Sequence, residues 1–527
     1  MAIKDNGNLK SVSERLNIPY LDKIKDGGVD PSIVSKIPMS FLKKYKLIPV
    51  SKRDNVLTIA VSDPLNLYPV DDIRLLTGLE VEVAVCGEEE IIKAINRFHH
   101  LEAESPEEVI EDLTEEGLEE TFAIKEEELL DDLLDVAHKA PIIKLVNLIL
   151  FQAVRERASD IHIEPFEKTL RVRFRIDGIL YDTLSPPKKF HQAIVSRVKV
   201  MSHLNIAERR LPQDGRTSIK IGDKEFDIRV SIVPTAFGER VVLRLLDKSS
   251  ILLGLEELGL SKERLDKFNA AIRHSHGIIL VTGPTGSGKT TTLYAALSTI
   301  NSSDKNIITV EDPVEYQLPG IGQIQVQPKI GLTFANGLRS ILRQDPNIMM
   351  VGEIRDTETA EIAIHASLTG HLVFSTLHTN DSSGSITRLL DMGIEPYLAS
   401  SSLIAIMAQR LVRTTCTGCK EPYKPEEEAL KEIGIDPTNI KVKNLYRGNG
   451  CPLCLKTGYR NRTGIYEMLV IDQDIRNLIL NRADSNTIKK KAQEKGMITL
   501  REDGAKKVLE GITTIEEVLR VTQEDIE

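Results

Sequence analysis

Several features common in other protein classes are missing from this chain of 527 residues. No apolar run reaches the roughly 18–20 residues needed to cross a bilayer. The nearest approach, 142–154, is broken by Lys144 and Asn147 and reads as a helix with one buried face. The opening MAIKDNGNLK has no apolar h-region, so no secretory signal is expected and the cytoplasm is the expected compartment. Aromatic residues are only 4% of the chain. That argues against a stacking platform for single-stranded nucleic acid. Apart from one arginine-faced strand there is no basic stripe, so nucleic acid is not expected as a partner. No fixed-period repeat occurs, which excludes solenoid and propeller folds. Cysteines number five, and a cytosolic chain seldom keeps structural disulfides.

The chain is too long for one hydrophobic core, so three or four domains are expected. Its net charge of −10 is unevenly spread. The stretch 101–135 holds sixteen Asp/Glu and one Lys, which leaves about +5 for the rest. Such a belt reads as a solvated linker, with a docking segment for a basic partner as the alternative. Before it, 1–100 reads as a small α/β module: a strand at 56–61, a helix at 70–79 and a strand at 81–85. After it, 136–250 forms a second unit, with Pro141 near the start of a helix. Within that unit 170–176 reads L-R-V-R-F-R-I. Its alternation places Leu170, Val172, Phe174 and Ile176 on an apolar face and three arginines on a wholly cationic one. The segment 226–232 repeats the pattern with Arg229 on the polar side. Residues 251–527 alternate short apolar strands with helices, which predicts a parallel α/β sheet; 412–460 is a cysteine-bearing insertion.

The chemistry concentrates at 283–290, G-P-T-G-S-G-K-T, a Walker A loop without mismatch. Gly283, Gly286 and Gly288 let backbone N–H groups close around phosphates, with Pro284, Thr285 and Ser287 filling the loop between them. The following helix directs its positive end at the same anion. Lys289 supplies a point charge to the β- and γ-phosphates, and Thr290 a hydroxyl for Mg²⁺. An apolar strand at 278–282 precedes the loop and a helix at 291–300 follows. The expected ligand is therefore ATP with Mg²⁺. Hydrolysis also needs carboxylates. Glu311 follows the strand 307–310, and Glu353 follows the strand 348–351 after Gly352, where many P-loop proteins have an aspartate. Each reads as a site carboxylate at the ligand-binding edge of the sheet, or as a surface group at a strand end. His371 and His378 bracket the strand 372–376. They fit no zinc spacing and read as structural histidines or phosphate sensors. An arginine reaching in from a neighbouring subunit can stabilise phosphoryl transfer; the residues 136–250 are rich in candidates, and the bland reading of each is a solvated basic face.

Cys416-x-x-Cys419 and Cys451-x-x-Cys454 form two pairs. Two such knuckles can close one tetrahedral Cys₄ site, and structural zinc is the expected occupant. An iron–sulfur cluster or a redox dithiol are the alternatives. Cys86 reads as a core thiol.

The order of P-loop, Glu311-Asp312-Pro313-Val314-Glu315, Val351-Gly352-Glu353-Ile354-Arg355-Asp356 and TGHLVFSTLHTND at 369–381 resembles the ATPases of type II secretion and type IV pili. The segments S-D-I-H-I-E-P at 159–165 and L-P-Q-D-G-R at 211–216 resemble the family's second N-terminal domain. The type II secretion branch is the nearest likeness, and the resemblance covers roughly 35–525. It implies an α/β multidomain fold: a RecA-like ATPase domain, a PAS-like second N-terminal domain, a small N-terminal module and a tetracysteine zinc insertion. It implies a cytoplasmic motor ATPase, peripheral to the inner membrane, driving pseudopilus assembly and protein export. A pilus-extension or DNA-uptake motor is the alternative, and a nucleotide-gated scaffold a third reading. Glu311 resembles the glutamate that activates water, Glu353 the Walker B glutamate acting around Mg²⁺, and His371 and His378 lie in a histidine box. Arg229 and Arg244 align with arginines that reach a neighbour's nucleotide. The family works as a homohexamer, its N-terminal module docked to an inner-membrane platform protein. One departure stands out. Ser13-Glu14-Arg15-Leu16-Asn17-Ile18 lacks the R-L-G-x-x-L element of relatives that bind cyclic di-GMP, so regulation by that dinucleotide is not expected.

Overall fold

The computed structural model describes much of 10–94, then 140–221, 224–247, 253–436 and 444–523. The acidic stretch 101–135 lies outside the described residues. The chain divides into two compact units, 1–176 with 180–249, and 177–179 with 250–527.

Among the described residues the first unit contains two sheets. Strands β1 (Tyr20–Leu21), β2 (Leu47–Arg53), β3 (Val56–Val61) and β4 (Glu80–Cys86) pair in the order β1-β4-β3-β2. A helix at Tyr68–Thr77 connects β3 to β4, which run parallel as a crossover requires. Cys86 ends β4 in the core, and burial pushes its thiol up to about 11, the behaviour of an inert core cysteine.

The second sheet comprises β5 (Ala158–Pro165), β6 (Leu170–Ile176), β7 (Ile179–Leu184), β8 (Gln213–Ile221), β9 (Lys224–Thr235) and β10 (Gly238–Asp247), in the order β7-β6-β5-β10-β9-β8. Its apolar face packs against the helices Ala140–Arg155 and His191–Met201. The alternation along β6 is as the sequence predicts, since Leu170, Val172 and Phe174 are fully buried. Its other face is not wholly cationic, however. Arg173 donates to Glu164 through Nε (2.7 Å) and Nη2 (2.9 Å), Arg175 pairs with Asp160 at 3.6 Å, and Arg171 with Asp182 at 3.8 Å. The acids come from neighbouring strands, which a single-strand pattern cannot reveal.

The second unit is built on seven strands. They are β11 (Gly277–Thr282), β12 (Ile307–Glu311), β13 (Gly322–Gln325), β14 (Ile348–Val351), β15 (Leu372–Leu377), β16 (Leu403–Thr415) and, after the small hairpin of β17 (Lys420–Tyr423) and β18 (Leu445–Gly448), β19 (Tyr459–Val470). The order is β13-β12-β14-β15-β11-β16-β19. Every pair is parallel except β16–β19, which is antiparallel. The expected parallel sheet therefore carries one antiparallel edge strand, the return of the insertion. Every residue of β11 is buried because the sheet is covered on both faces. Ile278 and Leu280 enter one core, Ile279 and Val281 the other. Burying each such aliphatic side chain contributes roughly 1.5–3 kcal/mol. This packing fixes the strand whose end carries the phosphate loop.

Candidate active site

The loop at 283–290 leaves the C-terminal end of β11, and the helix Lys289–Ile300 follows it. Gly286 and Gly288 adopt φ of 79° and 88°, in the left-handed region that favours glycine. Gly288 is also crowded, since a Cβ there would meet Gln409 Nε2 at 2.8 Å; at Gly283 it would meet the Gln409 carbonyl at 2.5 Å. The loop is therefore pressed against β16. Ser287 is buried, and its Oγ has no partner among the described residues, so it is an orphan donor for an anion in the loop. Lys289 Nζ donates to the carbonyls of Gly283 (2.8 Å) and Pro284 (3.1 Å), acceptors that phosphate oxygens can replace. Pro284, Thr285 and Gly286 are exposed and Thr290 is half-buried.

Three strand tips complete this edge. Glu353 follows β14, and its carboxylate pairs with Arg355 and lies 3.5 Å from His378 Nε2. Burial pushes the Lys289 ammonium down to about 8, with Glu353's charge working against the shift and Arg410's adding to it. Burial and then the Lys289 charge lower the pKa of His378, so its ring is neutral at pH 7. Lys289, Glu353, His378 and Arg355 thus form one electrostatic group. Gly352 is glycine for a geometric reason: a Cβ there would stand 3.4 Å from the Glu311 Cα and 3.3 Å from the Phe334 ring. The two glutamate-bearing strand ends are that close. Glu311, the last residue of β12, is itself buried, and Tyr294, Thr309 and Gln323 donate to its two oxygens.

Not every candidate reaches this edge. His371 precedes β15, and its carbonyl accepts from the Gly277 amide at the start of β11. Six residues of strand, about 20 Å, separate that end from the phosphate loop. Its ring meets the Ala366 carbonyl (2.8 Å) instead. The paired histidine box therefore splits: His378 stands at the site and His371 serves the opposite edge of the sheet. Arg229 and Arg244 lie in the other unit, where β8, β9 and β10 set Arg216, Arg229 and Arg244 side by side. The same row continues through Asp160 to Arg175. Arg244 Nε donates to Asp160 at 2.9 Å, and Arg216 Nε to Asp227 at 2.6 Å. Like charges placed directly across strands are unfavourable, and these carboxylates offset that cost within the sheet. Pattern reading missed Tyr294, Gln323 and Arg410. Tyr294 looks like an ordinary core aromatic on a helix, and Arg410 Nη2 donates to the Asn380 carbonyl (2.8 Å) just past His378.

The four cysteines converge. The Sγ pairs Cys416–Cys451, Cys419–Cys454 and Cys451–Cys454 each stand 3.8 Å apart, and all four sulfurs lie within 4.8 Å of one another. A zinc–sulfur bond of about 2.3 Å gives a tetrahedron edge of about 3.8 Å, whereas a disulfide needs about 2.0 Å. Backbone amides of Gly450, Cys451 and Gly458 donate to the sulfurs at 3.2–3.3 Å, which suits thiolates. The residues fit Zn²⁺ with no open position. The insertion packs on the C-terminal helices, with Leu430, Ile433 and Leu445 against Val508, Ile515 and Val518. No helix among the described residues is long and apolar enough to cross a membrane.

Residues 135–520 match the family described as Type II/IV secretion system protein, and residues 16–105 match the MshEN domain. The chain is 47% identical to the type IV pilus assembly ATPase PilB of Myxococcus xanthus, across 99% of this chain and 92% of that protein. It is 49% identical to the type II secretion system protein E of Pseudomonas aeruginosa, across 93% of this chain and 97% of that protein. The X-ray structure of the Legionella pneumophila ATPase DotB shares the fold, with a TM-score of 0.53 at 22% identity, over 72% of this chain and 95% of that one.

Proposed function

Since the chain belongs to the Type II/IV secretion system protein family and is an ATP hydrolase, we propose that it is the cytoplasmic motor of a type II secretion system, driving pseudopilus assembly and protein export. The observation that carries the proposal is the meeting of the phosphate loop, Glu353 and His378 at one sheet edge, with Glu311 on the adjoining strand end. In this reading the loop amides, Ser287 Oγ and Lys289 hold the phosphates. Thr290 and Glu353 would hold Mg²⁺, which neutralises phosphate charge when bound. Glu311 takes the proton of the attacking water. His378, neutral at the lip, senses the γ-phosphate. Arg229 and Arg244 come from a neighbouring subunit of a homohexamer, a role that rests on the family resemblance. The small N-terminal module, matched over 16–105, docks on an inner-membrane platform protein and keeps the motor peripheral to that membrane. We retain the domain division 1–100, 101–135, 136–250 and 251–527. The departure at 13–18 leaves cyclic di-GMP out of the proposal.

The second reading is a type IV pilus-extension motor, favoured by the Myxococcus relative, which matches nearly the whole chain. A deletion strain separates the two: loss of exported protein with pili intact supports the first, and the reverse supports the second. The chemistry has its own test. Glu353→Gln should lower steady-state phosphate release about a hundredfold or more; an unchanged rate would remove Glu353 from the site. If arginines act across subunits, specific activity should rise with protein concentration as the ring assembles, and a monomer of constant specific activity would discard the shared site.

A further inference from the structure

Three elements enclose the Glu311 carboxylate. From β12 itself, Thr309 donates its hydroxyl to Oε1 at 2.5 Å. From β13, Gln323 Nε2 donates to the same oxygen at 3.1 Å. From the helix that leaves the phosphate loop, Tyr294 donates its phenol to Oε2 at 2.5 Å. These donors are themselves held. The Gln323 amide accepts from Leu318 N (2.7 Å) and donates to the Tyr316 carbonyl (3.0 Å). Tyr294 is fully buried, the Tyr316 ring stands edge-on to it with centroids 6.3 Å apart, and the Glu315 amide donates to its oxygen at 3.3 Å. Burial, and then the charge of Glu311, raise the phenol's pKa far above its usual value, so Tyr294 keeps its proton and acts as the donor.

Tyr294 and Lys289 lie on one helix, Lys289–Ile300. The lysine that meets the phosphates and the phenol that meets the glutamate are therefore joined by rigid backbone little more than one turn long. We propose that Tyr294 is a positioning residue for ATP hydrolysis: it registers Glu311 Oε2 against the phosphate-loop helix while Thr309 and Gln323 hold Oε1. The proposal rests on the reading of Glu311 as the group that activates water. Tyr294 makes and breaks no covalent bond; the proton of the water passes to Glu311 and the phenol retains its own. Group-to-substrate registration within about half an ångström is what such supports provide.

The test uses the full-length protein with Mg²⁺ and ATP. Tyr294→Phe keeps the ring and removes the donor. It should lower kcat about tenfold while KM stays within about twofold, because the contact acts on the reacting group and not on nucleotide binding. In a Glu311→Gln background, followed by single-turnover kinetics, the same substitution should change the residual rate less than about twofold. A helix-packing role would lower both backgrounds alike, and that result overturns the proposal, as does an unchanged kcat in Tyr294→Phe alone. Should Tyr294→Phe lose stability, the isosteric Thr309→Val decides: a fall in kcat at constant KM supports the cradle, and an unchanged kcat overturns it. A Glu311→Gln variant with wild-type kcat fails the reading of Glu311 itself, a separate outcome.

Discussion

The nucleotide edge of the seven-stranded sheet and its β16–β19 flank use the same residue types in opposite ways. At the edge, charged groups rest on partners they can exchange. Lys289 leans on two loop carbonyls, and Glu353 is shared between Arg355 and His378. At the flank, acidic groups are locked into fixed partners, most of them far away in sequence. Arg264 is ion-paired with Asp503, and Glu517 binds both Arg413 (2.9 Å) and Arg520 (2.6 Å). The Tyr459 hydroxyl joins Thr514 at 2.8 Å, and the Arg413 guanidinium covers the Tyr459 ring at 4.1 Å. The difference is one of exchange: Lys289, Glu353 and His378 stay partly or fully exposed beside replaceable partners, Glu311 is the buried member of that edge, and Arg264, Asp503 and Glu517 are buried with fixed ones.

The comparison is broken most severely by removing the metal centre. The cysteines tie the two legs of the insertion to each other between β16 and β19, and loss of a structural metal belongs to the largest class of destabilising changes. Stripping zinc with a chelator, or Cys454→Ser, should cost more than about 4 kcal/mol of stability in the second unit, read by thermal melting beside metal analysis. ATP affinity of the molecules still folded should be unchanged. An equal loss of affinity would show that flank and edge are one device.

A smaller effect tests the exchange at the edge. Lys289 is pushed down to about 8 in this structure, by burial first. A polyphosphate beside it favours the charged form and lifts its pKa. Nucleotide binding should then take up a proton as pH passes 8, and affinity should fall about fourfold between pH 7 and pH 8.5. Titration calorimetry in buffers of different ionisation enthalpy measures both. No proton uptake at pH 8.5 would mean that the ammonium does not exchange its partners.

Much of this was legible in the chain. The phosphate loop, the strands 170–176 and 348–351 and the paired cysteines stand where local pattern put them, because each depends on neighbours in sequence. The split of the two histidines was available in principle, since residues at the C-terminal end of a parallel strand face the ligand and those at its start do not. Two of the acids that neutralise the β6 arginines, Asp160 and Glu164, alternate visibly along β5, but their partners follow from sheet order. The Tyr294 contact had no local signal: a tyrosine on an apolar helix face reads as core, and here it is core and donor together. The antiparallel return of β19 depends on where a long insertion comes back, which periodicity does not encode.

The smallest effect sharpens the comparison most, because it sets two buried glutamates against each other. Glu467 of β19 is as enclosed as Glu311 but differently furnished. Its Oε1 accepts from Ser382 through N (2.9 Å) and Oγ (2.5 Å), while Oε2 is buried with no partner among the described residues. Burial raises its pKa, outweighing Lys489 and the Ser382 donors, which lower it. An acid whose folded pKa lies above its unfolded value favours folding fully below the unfolded pKa of about 4.5, and that support is lost as pH rises toward the folded value. Glu467→Gln keeps the acceptor for Ser382 and cannot titrate. Its stability at pH 5 should lie within about 1 kcal/mol of wild type, and it should gain on wild type as pH rises to 8, by urea denaturation at each pH, with kcat unchanged. Glu311→Gln, the same substitution five positions away in the strand order, should instead abolish steady-state turnover with little change in stability. A Glu467→Gln protein that loses kcat, or loses ground to wild type with rising pH, would place this carboxylate among the exchanging groups and erase the distinction between the two sides of the sheet.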